Sequence, residues 1–374
     1  MTVGSAVPLL VRVVVRDTAP PPRRCDTGSR EIDAEEQNGM IMTRFLSLTA
    51  LIFAALLVAA FSSPSSPSDG LLLVANKGDR TLGIIDPDVA RQIATVAEGG
   101  VTGHEVAASA DGKRAFVPIY GDSGVGRPGT DGSTLAVIDL SDRKVIHTID
   151  FGHGVRPHCA VLGPKDGLLY VTTELDKSVT IIDPLTLKIV GSVPTGQAES
   201  HMLAISPDGR KGYTANVGPG TVSVLDLAGR KTLAVIPVAK HVQRISISPD
   251  NRWVFTSDEE KPRLAAIDTA TNKVDRWITL PGTGYGTAST PDGKWLLVAL
   301  PDANAVAVVN LATLQVVKTI SVPSAPQEML IRPDGNIAYV SCDRSHQVAA
   351  IGIGDWGVKL IEAGSGADGL AWAR

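Results

Sequence analysis

Basic runs, cysteines and aromatic residues are all scarce in this sequence. Lys and Arg total 35 against 39 Asp and Glu, giving a net charge of −4 with no extended basic stretch. A protein that neutralises phosphates needs a basic stripe or patch, so a nucleic-acid partner is not expected. The three cysteines are Cys25, Cys159 and Cys342, too few for a disulfide scaffold. No Cys-x-x-Cys-His haem attachment, Gly-rich phosphate loop or Gly-x-Ser-x-Gly elbow occurs. Charged residues make up only 20% and aromatics 4%.

What is abundant is apolar residues (44%), Gly (37) and Pro (24). That mixture suits many short buried strands joined by tight turns and argues against disorder. The first 70 residues stand apart. An apolar stretch, FLSLTALIFAALLVAAF, runs from Phe45 to Phe61 behind Arg44, and small residues follow it. A short positive segment, an apolar core and a small-residue exit predict a secretory signal peptide over 40–62, with a linker over 63–70. Residues 1–39 precede the Met expected to start the signal and are expected to lie outside the translated protein. The chain is accordingly expected in the periplasm or secreted, touching a membrane only through an uncleaved signal anchor.

Beyond residue 70 the sequence repeats itself. A turn of the Ser-Pro-Asp-Gly kind recurs at Ser109–Gly112, Gly163–Gly167, Ser206–Gly209, Ser248–Asn251, Thr290–Gly293 and Arg332–Gly335. Its Pro-equivalent positions are spaced by 54, 43, 42, 42 and 42 residues. Pro presets φ for the first central position and Gly accepts the positive φ that closes a hairpin. A second anchor is the Asp or Asn ending an alternating strand: Asp86, Asp139, Asp183, Asp226, Asp268 and Asn310. Short β-branched runs such as LLLVAN, SVTIID and KIVGSVP lie between the anchors and read as strands. Residues 71–374 hold seven repeats of 42 with ten residues over, and the surplus is the segment GDSGVGRPGTDGS in the second repeat. Four strands per repeat, seven times over, predict an all-β fold: a seven-bladed β-propeller of four-stranded antiparallel blades. The first repeat lacks its innermost strand and the chain ends on one, so the C-terminal strand is expected to close the ring and remove free edges. Cys159 and Cys342 fall on non-adjacent blades, so no bridge between them is expected.

The repeats LYVTTELDKSVTIIDPLTLKIVGSV and YTANVGPGTVSVLDLAGRKTLAVIPV resemble those of the YVTN family of β-propeller proteins. The resemblance covers essentially all of 71–374. It implies the propeller fold, and a family of binding proteins and lactonase-like enzymes leaves the activity open.

The innermost strands line the central channel. Six residues before each turn Pro stand His104, His158, His201, Gln243, Tyr285 and Gln327, with Asp368 or Gly369 at the closing blade. Three histidines at one phase, from only seven in the chain, mark one end of the channel. Two positions earlier stand Arg156, Glu199 and His241, expected on the same strand face. The insertion, with Tyr120 and Arg127, is expected as a loop on that rim. These residues support three readings. The first is a ligand-binding or interaction scaffold taking a small molecule or a protein at the rim through Gln243, Gln327, His241, Tyr120 and Arg127, as a monomer. The second is an oxidoreductase or lyase with one Cu, Zn or Fe ion on His104, His158 and His201, assisted by Glu199 or Tyr285. The third is a metal-free lactonase- or cycloisomerase-like enzyme using Arg156, His158, Glu199 and His201 as an acid/base set. Residues that recur in every repeat, the turn aspartates among them, are read as scaffold, as are Phe116, Tyr170, Trp253 and Trp295. Asp258, Glu259 and Glu260 are expected as a solvated acidic tip.

Overall fold

A computed structural model describes residues 70–374. The expected boundaries at 1–39 and 40–62, and all but the last residue of 63–70, lie outside the described residues. The first strands are β1 (Leu71–Asn76), β2 (Thr81–Asp86) and β3 (Arg91–Ala97). Next come β4 (Ala107–Ala108), β5 (Arg114–Gly121), β6 (Asp131–Asp139) and β7 (Lys144–Asp150). They are followed by β8 (Pro157–Leu162), β9 (Leu169–Thr173), β10 (Ser178–Asp183) and β11 (Lys188–Pro194). The central set is β12 (Ser200–Ile205), β13 (Lys211–Asn216), β14 (Thr221–Asp226) and β15 (Lys231–Pro237). Then come β16 (Ile245–Ile247), β17 (Trp253–Asp258), β18 (Arg263–Asp268) and β19 (Lys273–Thr279). After them lie β20 (Thr287–Ser289), β21 (Trp295–Leu300), β22 (Ala305–Asn310) and β23 (Gln315–Ser321). The last five are β24 (Pro326–Ile331), β25 (Ile337–Cys342), β26 (Gln347–Gly352), β27 (Val358–Glu362) and β28 (Ala367–Ala373).

These strands form five four-stranded antiparallel sheets and one of eight strands, in the order β24-β25-β26-β27-β3-β2-β1-β28. The eight-stranded sheet is joined at its middle by a single parallel pair, Glu362 with Arg91. The innermost strands β4, β8, β12, β16, β20, β24 and β28 neighbour one another in succession, and β28 neighbours β4. This all-β stacking of four-stranded sheets is that of a β-propeller. β28 pairs antiparallel with β1 from Leu71–Ala373 to Asn76–Ala367.

The turns hold for the reasons their residue types suggest. In Ser206–Gly209 the Ser206 hydroxyl donates to Asp208 at 2.6 Å, Asp208 accepts the Arg210 amide at 3.0 Å, and Gly209 sits at φ +71°. The same knot recurs at Ser109, Ser248 and Thr290. The strand-ending Asp183, Asp226, Asp268 and Asn310 accept backbone amides two or three residues on, so each caps its turn. Strands two and three of each blade are buried on both faces, and the outermost strands are largely exposed. The core therefore lies between blades: Tyr170, Val179 and Ile181 pack with Leu203, Tyr213 and Val224 of the next. Phe116, Tyr170 and Trp253 are buried in this inter-blade core, and half-buried Trp295 meets Trp356 edge-on at 5.7 Å. Cys159 and Cys342 are separate buried thiols, the second pushed up to about 12 by its burial.

The C-terminal strand buries Leu370, Ala371 and Ala373, and stacks Trp372 on Tyr339. Its removal exposes both β1 and the apolar flank behind it. Deletion of Gly369–Arg374 is expected to abolish soluble folding; a truncated protein with unchanged melting by circular dichroism would contradict the role of β28.

Candidate functional site

A left-handed residue at the start of several inner strands decides what faces the channel. Thr102, Arg156, Glu199 and Ala325 each take positive φ, between 49° and 63°, two residues before His104, His158, His201 and Gln327. The pairing shifts register at Pro157/Ala160, Ser200/Met202 and Pro326/Met329. A left-handed residue breaks the two-residue alternation of a strand, so residues two apart no longer share a face. This corrects the expected placement of Arg156 and Glu199.

Arg156 points away into the insertion. Its Nε donates to Asp131 at 2.6 Å, and its Nη atoms donate to the carbonyls of Arg127 at 2.8 Å and Gly124 at 3.4 Å. It is a staple that ties the 122–130 loop to the start of β8. Glu199 lies with Gly126, Pro128 and Lys177 in a neighbouring groove, outside the mouth. His241 is exposed beside Glu260 at 3.3 Å, and Gln327 bonds the Ala325 carbonyl, also outside the mouth. Tyr120, expected in the loop, is instead buried within β5.

The channel mouth is a cavity of about 370 Å³ lined by His104, Tyr120, His158, His201, Gln243 and Tyr285, as the repeat phase predicts. Lys77, Arg127, Arg244, Glu259 and Asp368 add charges to it. His158 and His201 stack with centroids 3.5 Å apart and planes at 29°, while His104 meets His158 edge-on at 5.3 Å. Tyr120 touches all three rings. The lone pairs of stacked imidazoles lie in nearly parallel planes and run side by side instead of converging on one ion. Among the described residues no three His, Cys, Asp or Glu side chains are grouped to hold a metal. The arrangement therefore gives the single Cu, Zn or Fe ion no ready donor set.

His201 has a partner that the sequence reading did not single out. Its Nδ1 bonds the carboxylate of Glu174, whose other oxygen accepts from the Tyr120 hydroxyl at 2.7 Å. Its Nε2 lies 2.9 Å from the Gln243 amide nitrogen. Burial lowers His104 to about 4 and holds His158 well below the usual imidazole range, so both are neutral at physiological pH. Burial likewise lifts Tyr285 to about 12. Asp258 is buried against Arg263, and Glu259 turns into the mouth, leaving only Glu260 as the solvated tip.

Beneath the rings Arg244 forms the floor. Its guanidinium meets Glu105 and Glu328 at 2.5 Å and Asp368 at 2.9 Å, with Tyr285 over it at 4.9 Å. Lys77 bonds Asp368 at 3.1 Å. Burial raises Glu105 and Glu328 despite Arg244. Burial would raise Asp368 too, but Arg244 and Lys77 outweigh it and hold this carboxyl low.

Two signals could have found the missed groups. Lys77, Glu174, Val217, Glu259 and Asp343 each directly follow the second strand of a blade, a phase that returns to the mouth. Glu105, Arg244 and Glu328 stand one residue after the ring position, where other blades carry Cys159, Met202 and Gly286.

No protein-family model matches the chain, and no curated protein matches it. Solved structures do. The chain is similar to hydrazine synthase of Kuenenia stuttgartiensis at 19% identity and a TM-score of 0.65, covering 77% of this chain and 94% of that one. It is similar to the dihydro-heme d1 dehydrogenase NirN in complex with DHE at 16% identity, TM-score 0.58, covering 84% and 78%. A functionally unknown protein from Desulfotomaculum acetoxidans DSM 771 matches at 15% identity, TM-score 0.67, covering 82% and 99%. These likenesses support the β-propeller fold and carry no activity to this chain.

Two predictions follow from the side chains around the mouth. A carboxyl whose pKa is raised on folding stabilises the fold when protonated, and that contribution is lost as pH rises above the ordinary value of 4.5. Glu105→Gln is therefore expected to melt at or above the wild type at pH 8, with the difference shrinking towards pH 5; the opposite trend in a melting series would show Glu105 is needed as an anion. Arg156→Ala should free the insertion, giving protease cleavage within residues 122–130 that the wild type resists. Identical digestion patterns would show that the loop holds itself.

Proposed function

We propose that this chain is an exported β-propeller of the YVTN type that binds a small polar molecule in the histidine-lined mouth. In this reading seven blades form the ring, and β28 beside β1 closes it. Its single strongest support is three buried polar atoms with no hydrogen-bond partner, all from the lining of one cavity: His158 Nδ1, Arg244 Nε and Glu259 Oε1. Buried donors and acceptors are almost always satisfied, and leaving one unmade costs about 1–3 kcal/mol. Three among the residues lining one cavity are the complement of a guest that carries its own donors and acceptors. The Arg244 knot supplies a floor under the guest, and the 122–130 insertion supplies a side wall through Gly124, Val125 and Arg127. Export rests on the apolar stretch Phe45–Phe61 and its flanks.

The Glu174–His201 pair favours a second reading, a metal-free acid/base enzyme at the same mouth. A buried carboxylate on Nδ1 fixes the imidazole tautomer and leaves Nε2 as the proton acceptor. Glu174 takes the part that the sequence reading gave to Glu199.

Thermal-shift screening of the purified chain against small acids, amines, amides, sugars and lactones tests the first reading. At least one compound should stabilise the wild type and fail to stabilise His158→Leu carrying the same strand signal in circular dichroism. If every stabilising compound acts equally on both proteins, the mouth is not the binding site.

A further inference from the structure

The reading of the mouth as a binding site leaves its ligand open, and the charges on its walls narrow the choice. Two of them are unpaired. Arg127, on the insertion between β5 and β6, is exposed, and its guanidinium makes no ion pair or hydrogen bond among the described residues. Glu259, directly after β17, makes none through its carboxylate, and its Oε1 is buried. The other charges of the lining are engaged: Lys77 with Asp368 and Asp343, and Arg244 with Glu105, Glu328 and Asp368.

The two free charges are opposite in sign and come from different sides of the mouth. The blades of β8–β11 and β12–β15 intervene between them in the succession of inner strands. Both line the same cavity without meeting each other. Neither position is scaffold: the insertion occurs in one repeat, and the residue after the second strand is acidic in some blades and Lys77, Val217 or Pro301 in others.

We infer that the mouth takes a small zwitterion of the amino-acid kind, its carboxylate towards Arg127 and its ammonium towards Glu259. An anion alone would leave the Glu259 carboxylate buried without a donor, and a cation alone would leave the Arg127 guanidinium without an acceptor. Unmade bonds to charged groups are the costly ones. A molecule bearing both groups answers both demands. His158 Nδ1, beside them, can take either role as a neutral imidazole. The cavity of about 370 Å³ is of a size for such a molecule.

The inference depends on the mouth being a binding site, and calorimetry separates the two. The purified chain is titrated with the common amino acids; the tightest is then compared with its decarboxylated amine and its deaminated acid. Each analogue should bind roughly tenfold or more weakly than the amino acid, the loss expected from removing one charged hydrogen-bonding group. Arg127→Gln should weaken the amino acid and leave the amine unchanged, while Glu259→Gln should weaken the amino acid and leave the acid unchanged. Neither variant should melt below the wild type, because neither side chain has a hydrogen-bond or ion-pair partner to lose. An analogue as tight as its parent, variants that bind as the wild type does, or no binding by any amino acid would overturn the zwitterion. If screening compounds still depend on His158 in that case, the mouth stands as a binding site and only its ligand class falls.

Discussion

At the channel axis, one guanidinium holds together residues that are far apart in the chain. Arg244 reaches Glu105 on the blade of β4, Glu328 on that of β24, and Asp368 on β28. Three carboxylates around one buried cation, with Lys77 alongside, carry more negative than positive charge into a place with little water. Such a cluster is tolerated because every carboxylate has a charged partner. Removing the cation would leave uncompensated buried carboxylates, a loss of about 3–5 kcal/mol for a single broken pair.

The knot also decides the character of the mouth above it. It fills the axis, so the space lined by histidines has a floor. It occupies the Nη atoms of Arg244 and leaves Nε buried without a partner. The low dielectric that comes with this packing strips His104 and His158 of their protons, turning basic-looking residues into neutral donors and acceptors. Tyr120 and Glu174 then lock His201 in place from the side, and the stacking of His158 on His201 becomes possible without charge repulsion. Binding at this mouth is accordingly a matter of hydrogen-bond complementarity set by burial.

Much of this was legible from residue 71 onward. The Ser-Pro-Asp-Gly turns and the strand-ending aspartates act locally, through contacts within two or three residues, and local contacts can be read from spacing. The ring phase brought His104, His158, His201, Gln243 and Tyr285 to one cavity but not Gln327, which has the same phase and turns to the Ala325 carbonyl. Arg156 and Glu199 misled because a single left-handed residue at each inner-strand start inverts the alternation, and nothing about Arg or Glu announces positive φ. Arg156 looked like a clamp for a ligand and is a clamp for a loop.

The sequence by itself determined the repeat and the order of strands within it, because both depend on short-range pattern. Only the tertiary structure decided what those residues do to one another. Glu174 meets His201 across 27 positions, Arg244 meets Glu105 across 139, and Asp368 joins them from the chain's end. Charge, protonation and the direction of a lone pair are properties of that assembled neighbourhood. No repeat carries them alone, since the site exists where groups from different blades meet.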